Sequence, residues 1–172
     1  MKKMTGVLSI ILLFAFSGIF AQVDLFDSLS PDARKVLADS WLDTGKTFQN
    51  LKKLKDAKAC FEYANDAYPM GASATEARQV LQDSFRIRLS FETNKQFDFY
   101  VKRAKVQTNE QFRLNNYLMA AELKADKDVF YQAAVSAYGQ NEKDLAKTLL
   151  QKAFAAGLDK ASISEELKSL GL

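Results

Sequence analysis

The chain has 172 residues, no histidine, a single cysteine and a formal charge of +3. Without histidine the commonest general base, the usual nucleophile–histidine pairings and the commonest metal ligand are all missing. One cysteine excludes an intramolecular disulfide, and setting Lys2 and Lys3 aside as leader residues lowers +3 to +1, too little for a nucleic-acid binder driven by phosphate contacts.

Lys2 and Lys3 precede an apolar run from Val7 to Phe16, and Ser17-Gly18-Ile19-Phe20-Ala21 places small residues ahead of Gln22. This pattern predicts a secretory signal peptide over 1–21, cleaved after Ala21. The run is short for a spanning helix of about 20 residues, and no cysteine near the cleavage point suggests a lipid anchor. The expectation is an exported, periplasmic protein. About 150 residues then remain, enough for one domain with a core.

Ser30-Pro31-Asp32 reads as a helix start, with Ser as the cap, Pro in the first turn and Asp near the positive end. Leu37, Trp41, Thr44, Phe48 and Leu51 then form one apolar stripe, and Leu54, Ala57, Phe61, Ala64 and Tyr68 form a second. Gly45 and Ala57 are small where two antiparallel helices would cross, Trp41, Phe48 and Phe61 fill the volume around them, and Cys60 is a core filler. Pro69 disfavours helix at Tyr68 and ends the hairpin.

The spacing W-x-x-x-G-x-x-F…A-x-x-x-F-x-x-A…P over residues 38–71 resembles a tetratricopeptide repeat. It departs from that family at Thr44, where leucine is usual, and at Phe48, where tyrosine is.

Further helix starts follow. Ser73, Thr93, Thr108 and Ser162 each stand three residues ahead of Glu or Gln, the capping-box spacing, while Asp126 and Asn141 read as simple caps. The expected helices are 31–51, 54–68, 73–91, 94–105, 109–124, 127–138, 142–156 and 161–170, the last a capping helix with a polar outside. No segment reads as a strand, so the fold class is all-α. A degenerate second repeat lies at 127–160, with Phe130, Ala133, Ala134 and Ala137 in the places of Trp41, Thr44, Gly45 and Phe48. Its offset of 89 residues from the first is not a whole number of 34-residue repeats, which calls for an irregular insertion or an extra helix between them.

Motifs that carry chemistry are missing: there is no phosphate loop, dinucleotide fingerprint or cysteine cluster. The pairs Glu165-Glu166 and Asp126-Asp128 read as solvated helix ends, so neither catalysis, cofactor nor metal is expected. Arg86, Arg88, Lys102, Arg103 and Lys105 interleave with Phe85, Phe91, Phe97, Phe99 and Tyr100, a composition shared by solvated helix faces and membrane-surface patches. Tyr131, Val135 and Tyr138 make a second apolar side on the helix 127–138, and a helix apolar nearly all round is buried or binds something.

The resemblance implies a helix-turn-helix solenoid whose inner helices line a concave groove. Carried over to this chain, the groove positions are Asp39, Leu42, Lys46 and Gln49 in the first repeat, and Asp128, Tyr131, Val135 and Tyr138 in the degenerate one. Some family members clamp a C-terminal carboxylate with Lys and Asn; this chain has Leu42 and Lys46 there, so that activity is not implied. The expected function is a non-catalytic scaffold or adaptor of the bacterial envelope that binds a protein or peptide partner. The alternatives are a membrane-surface protein using residues 85–105 and an accessory subunit of an envelope enzyme.

Overall fold

A computed structural model describes residues 25–171, so the leader expected at 1–21 lies outside the described residues. Among the described residues the structure is helical and contains no strand. After a helical turn at 25–27 come α1 (Pro31–Asn50), α2 (Leu54–Ala67), α3 (Ala72–Phe85), α4 (Thr93–Val106), α5 (Glu110–Leu123), α6 (Lys127–Gly139) and α7 (Lys143–Ala155). A 3-10 turn (Lys160–Ser162) and the short α8 (Glu165–Lys168) follow. No helix among them is long and apolar enough to cross a membrane.

Two caps form as their sequences suggest: the Ser30 hydroxyl accepts from the Ala33 amide, and the Asp126 carboxylate accepts from those of Asp128 and Val129. Others move. Gly71 and Glu92 stand at the caps of α3 and α4 with no side-chain bond, and Asn109 rather than Thr108 caps α5. The helix expected to reach 91 stops at Phe85, because Arg86 turns left-handed (φ 61°) and the Ile87 amide bonds back to the Leu81 carbonyl. The last helix shrinks to 165–168 behind Ser164.

Consecutive helices pack pairwise as α1/α2, α2/α3, α4/α5, α5/α6 and α6/α7, with α1 also touching α3 and α5. The segment 86–92 runs back along α3, since the Arg78 guanidinium lies 5.2 Å from the Phe91 ring centre. Among the described residues two large apolar cores result, beside a small cluster of Phe26, Ala38 and Ala67. The first joins Trp41, Leu42, Ala57, Cys60, Phe61, Ala64, Ala77 and Leu81; the second gathers α4 to α8 around Leu114, Met119, Phe130, Ala134 and Leu150.

Three helices, α3, α4 and α5, stand between the hairpins α1/α2 and α6/α7. Thr93 and Lys127, the first residues of α4 and α6, are 34 positions apart, and α3 follows the first hairpin without a returning partner of its own. The α1–α2 and α6–α7 turns, 89 positions apart, share one backbone path. Leu51 (φ −80°, ψ 5°) matches Gln140 (−92°, 7°), Lys52 (φ 59°) matches Asn141 (63°), and Lys53 (−85°, 68°) matches Glu142 (−84°, 64°). The closing bonds match as well, from Lys53 N–H to Phe48 O at 2.9 Å and from Glu142 N–H to Ala137 O at 3.0 Å. These satisfy carbonyls that a helix end otherwise leaves open.

Candidate functional site

The first set of groove positions lies on the side of α1 that α3 covers. The Ser73 hydroxyl donates to the Asp39 carboxylate, Lys46 pairs with Glu76 at 2.8 Å, and the Gln49 amide donates to the Ser84 hydroxyl at 3.1 Å. This ladder sets α1 and α3 parallel. Leu42 does not face a groove: it is only 5% exposed and belongs to the first core, because α3 lays Ala77 and Leu81 over that side. That expectation is corrected. Lys46 and Gln49 stay partly exposed, yet both are already engaged across the α1–α3 seam.

On α6 the matching side is more open. Tyr131 and Tyr138 are half-buried against the second core, and Val135 between them is 41% exposed. Seven residues separate the tyrosines, about 10 Å along a helix axis. Phe130, Ala133, Ala134 and Ala137, all buried, carry the packing of α6 on its neighbours.

The basic-aromatic stretch 85–105 divides. Tyr100 is buried, Arg103 turns inward, Phe85 packs 6.3 Å from Phe61, and Lys124 covers Phe97 at 5.3 Å. Arg86, Arg88, Phe99, Lys102 and Lys105 remain exposed.

A site that sequence reasoning missed sits beside the small cluster of Phe26, Ala38 and Ala67. Asp27, in the N-terminal turn, is 2% exposed, and both its carboxylate oxygens are engaged. Arg34 on α1, also 2% exposed, reaches one at 3.5 Å, while Arg103 and Gln107 from α4 and its end each reach the other at 2.6 Å. Asn115 on α5 donates to the Asp27 backbone carbonyl at 2.8 Å. The Arg34 guanidinium also lies 6.0 Å from the Phe26 ring centre and 5.6 Å from that of Tyr100, within cation–π range. Burial lowers the Arg34 pKa against the opposing pull of Tyr100 and Asp27, and burial pushes the Tyr100 phenol up to about 12.

A cleft of about 260 Å³ opens over this network, walled by Phe99, Tyr100 and Asp66. Burial raises the Asp66 pKa although part of its surface faces solvent; the Asn65 amide, donating at 2.9 Å, pulls the other way. Two aspartates face two arginines across the cleft, so its charge selects neither anion nor cation. Chemically this is a clasp, with the donors around Asp27 already committed to holding α1, α4 and α5 together.

Cys60 is buried, and burial, reinforced by Asp56, pushes its thiol up to about 12, so it stays protonated and inert at neutral pH. Among the described residues no group of three or more Cys, Asp or Glu side chains is placed to hold a metal ion. Comparison with protein-family models, curated proteins and solved structures gives no match.

Proposed function

We propose that this protein is a non-catalytic helical-repeat scaffold of the tetratricopeptide type, exported to the periplasm, that binds a helical or peptide segment of another protein. One observation carries the reading. The side of α1 at Asp39, Leu42, Lys46 and Gln49 is closed by α3, whereas the equivalent side of α6 leaves Val135 exposed between two half-buried tyrosines. A partner helix laid parallel to α6, as α3 lies on α1, would bury that side. Rigid aromatic side chains of this kind concentrate binding energy at interfaces.

The 34-residue step between α4 and α6 supports a repeat architecture, as does the Asp39–Ser73 bond, which joins positions 34 apart. The identical turns at Lys52 and Asn141 add to it. Lys46 and Gln49 belong to the seam in this reading, and binding rests on Tyr131, Val135 and Tyr138. A photo-crosslinking residue at position 135 should capture a defined partner in intact cells, and the same residue at Thr148, exposed on α7, should not. Tyr131→Ser with Tyr138→Ser should abolish that capture while the far-ultraviolet circular dichroism stays unchanged. Loss of helicity in the double variant would instead make the tyrosines structural, and the reading would fail.

A further inference from the structure

The α1–α2 turn ends in a projecting, basic and aliphatic tip. Leu51 and Leu54 are 61% and 57% exposed, although leucine is commonly buried, and Lys52, Lys53 and Lys55 surround them. The left-handed Lys52 reverses the chain between the two leucines. The Gln49–Ser84 bond sets the end of α3 beside this tip, so Arg86 and Arg88, both exposed, join the same end of the molecule.

Charge gathers here against the average. Five lysines and arginines stand with two aspartates, Asp56 and Asp83, a local excess of three, whereas the chain beyond Lys2 and Lys3 carries only +1 in total. Among the described residues Lys46, Lys58, Lys95, Arg113 and Lys168 are each paired with a carboxylate, whereas Lys52, Lys53, Lys55, Arg86 and Arg88 at this end are not, Lys53 lying only over the Phe48 ring at 5.8 Å.

We infer that this end docks on an anionic lipid bilayer, with Leu51 and Leu54 entering the interface and Lys52, Lys53 and Lys55 on the headgroups. The residue types favour lipid over an acidic protein. Protein interfaces are enriched in aromatics and Arg and depleted in Lys, while protruding aliphatic side chains flanked by lysines suit a hydrocarbon boundary under a negative surface. The surface lies on the first hairpin, away from Tyr131, Val135 and Tyr138, so it stands or falls independently of partner binding.

The test is sedimentation of the protein, as its own cells make it, with vesicles of phosphatidylglycerol and phosphatidylcholine or of phosphatidylcholine alone. Binding should require the anionic lipid and weaken as salt rises. Each lysine near such a surface is worth about fivefold in partitioning, so Lys52→Gln/Lys53→Gln/Lys55→Gln should lose roughly one hundredfold. Leu51→Ser/Leu54→Ser should lose roughly tenfold or more. Both variants should keep wild-type helicity and wild-type crosslinking from position 135. Lys102→Gln/Lys105→Gln on α4 should bind as the wild type does. Equal binding to both vesicle types overturns the inference, as does undiminished binding by the tip variants. Failure to bind vesicles while retaining soluble polyglutamate would reassign the end to an acidic polypeptide and overturn it too.

Discussion

The hairpins α1/α2 and α6/α7 follow one backbone path through their turns but fill their crossings differently. In the first, Gly45 lies against Phe61: a Cβ at Gly45 would stand 2.7 Å from Phe61 Cε1 and 2.9 Å from Cδ1. In the second, the same two places hold Ala134 and Leu150, both fully buried. A small residue facing a large ring has been exchanged for two of middling size. Close helix approach therefore depends on the joint volume at the crossing, which interiors packed to crystal-like density keep nearly constant. The sides of the hairpins diverge more, since α3 closes one and the other stays partly open.

The first hairpin carries an extra tie, through Asp27 and Arg34, to the half of the molecule that contains the second. Asp27→Ala leaves the buried Arg34 guanidinium without its carboxylate and should cost about 3–5 kcal/mol. Denaturant unfolding followed by Trp41 fluorescence and by far-ultraviolet circular dichroism would read this. Wild-type transitions by the two probes should coincide, and those of the variant should separate, with the first hairpin melting earlier. Coincident transitions in both proteins, with a shift below 1 kcal/mol, would mean that the clasp does not couple the halves.

The crossing itself can be broken and then mended. Gly45→Ala should destabilise by about 1–3 kcal/mol as overpacking against Phe61, and Ala134→Gly by about 1 kcal/mol through helix propensity. The double variant Gly45→Ala/Phe61→Leu installs the pair found in α6/α7. It should be more stable than the sum of its single changes by about 0.5–3 kcal/mol. Strict additivity in thermal melts would show that the two crossings do not share a volume rule.

Local signals in the sequence reach the elements, and little beyond them. The stripes through Trp41 and Phe61, the cap at Ser30 and the break at Pro69 all act within a few residues, and the helices α1 and α2 follow from them. Arg86 shows where such reading fails: an arginine in the left-handed region ends α3 six residues before periodicity would. Leu42 shows another limit, because whether a helix side is groove or core depends on where α3 lies. The clasp was illegible for a related reason. Asp27 precedes the first recognisable helix start, and Arg103, Gln107 and Asn115 lie 76, 80 and 88 residues further on. Asp27 stands among other acids and hydroxyls, Asp24, Ser28, Ser30 and Asp32, so nothing in the lead singles it out.

Cys60 offers a pH test of the same comparison, since its counterpart Leu149 does not titrate. The thiol's folded pKa of about 12 lies above its ordinary 9.0. Its contribution is therefore fully present below pH 9 and is lost as pH rises towards 12, because the unfolded chain releases the proton first. Tyr100, raised from 10.0 to about 12, adds a similar loss above pH 10. Cys60→Ala should flatten the fall in stability from pH 9 upward, whatever its effect at pH 7. An unchanged slope, or rapid native-state reaction of the thiol with a disulfide reagent at pH 8, would place Cys60 outside the core.

The smallest effect separates the turns themselves. Lys52 and Asn141 occupy the same left-handed conformation, with φ of 59° and 63°. For an ordinary side chain this region costs about 1–2 kcal/mol through crowding of Cβ against the following carbonyl. Asparagine visits it more readily because its short side chain can bond to local backbone, and glycine enters it freely. Glycine also gives the unfolded chain more freedom, which offsets part of any gain. Lys52→Gly should therefore stabilise by about 0.5–1 kcal/mol, while Asn141→Gly should stay within about 0.5 kcal/mol of the wild type. Guanidinium midpoints at constant slope would resolve the pair. Equal shifts in the two variants would mean that the turn closes on its Lys53–Phe48 and Glu142–Ala137 bonds whichever residue sits between them. Destabilisation by Lys52→Gly would show that the Lys52 side chain contributes contacts of its own at the tip.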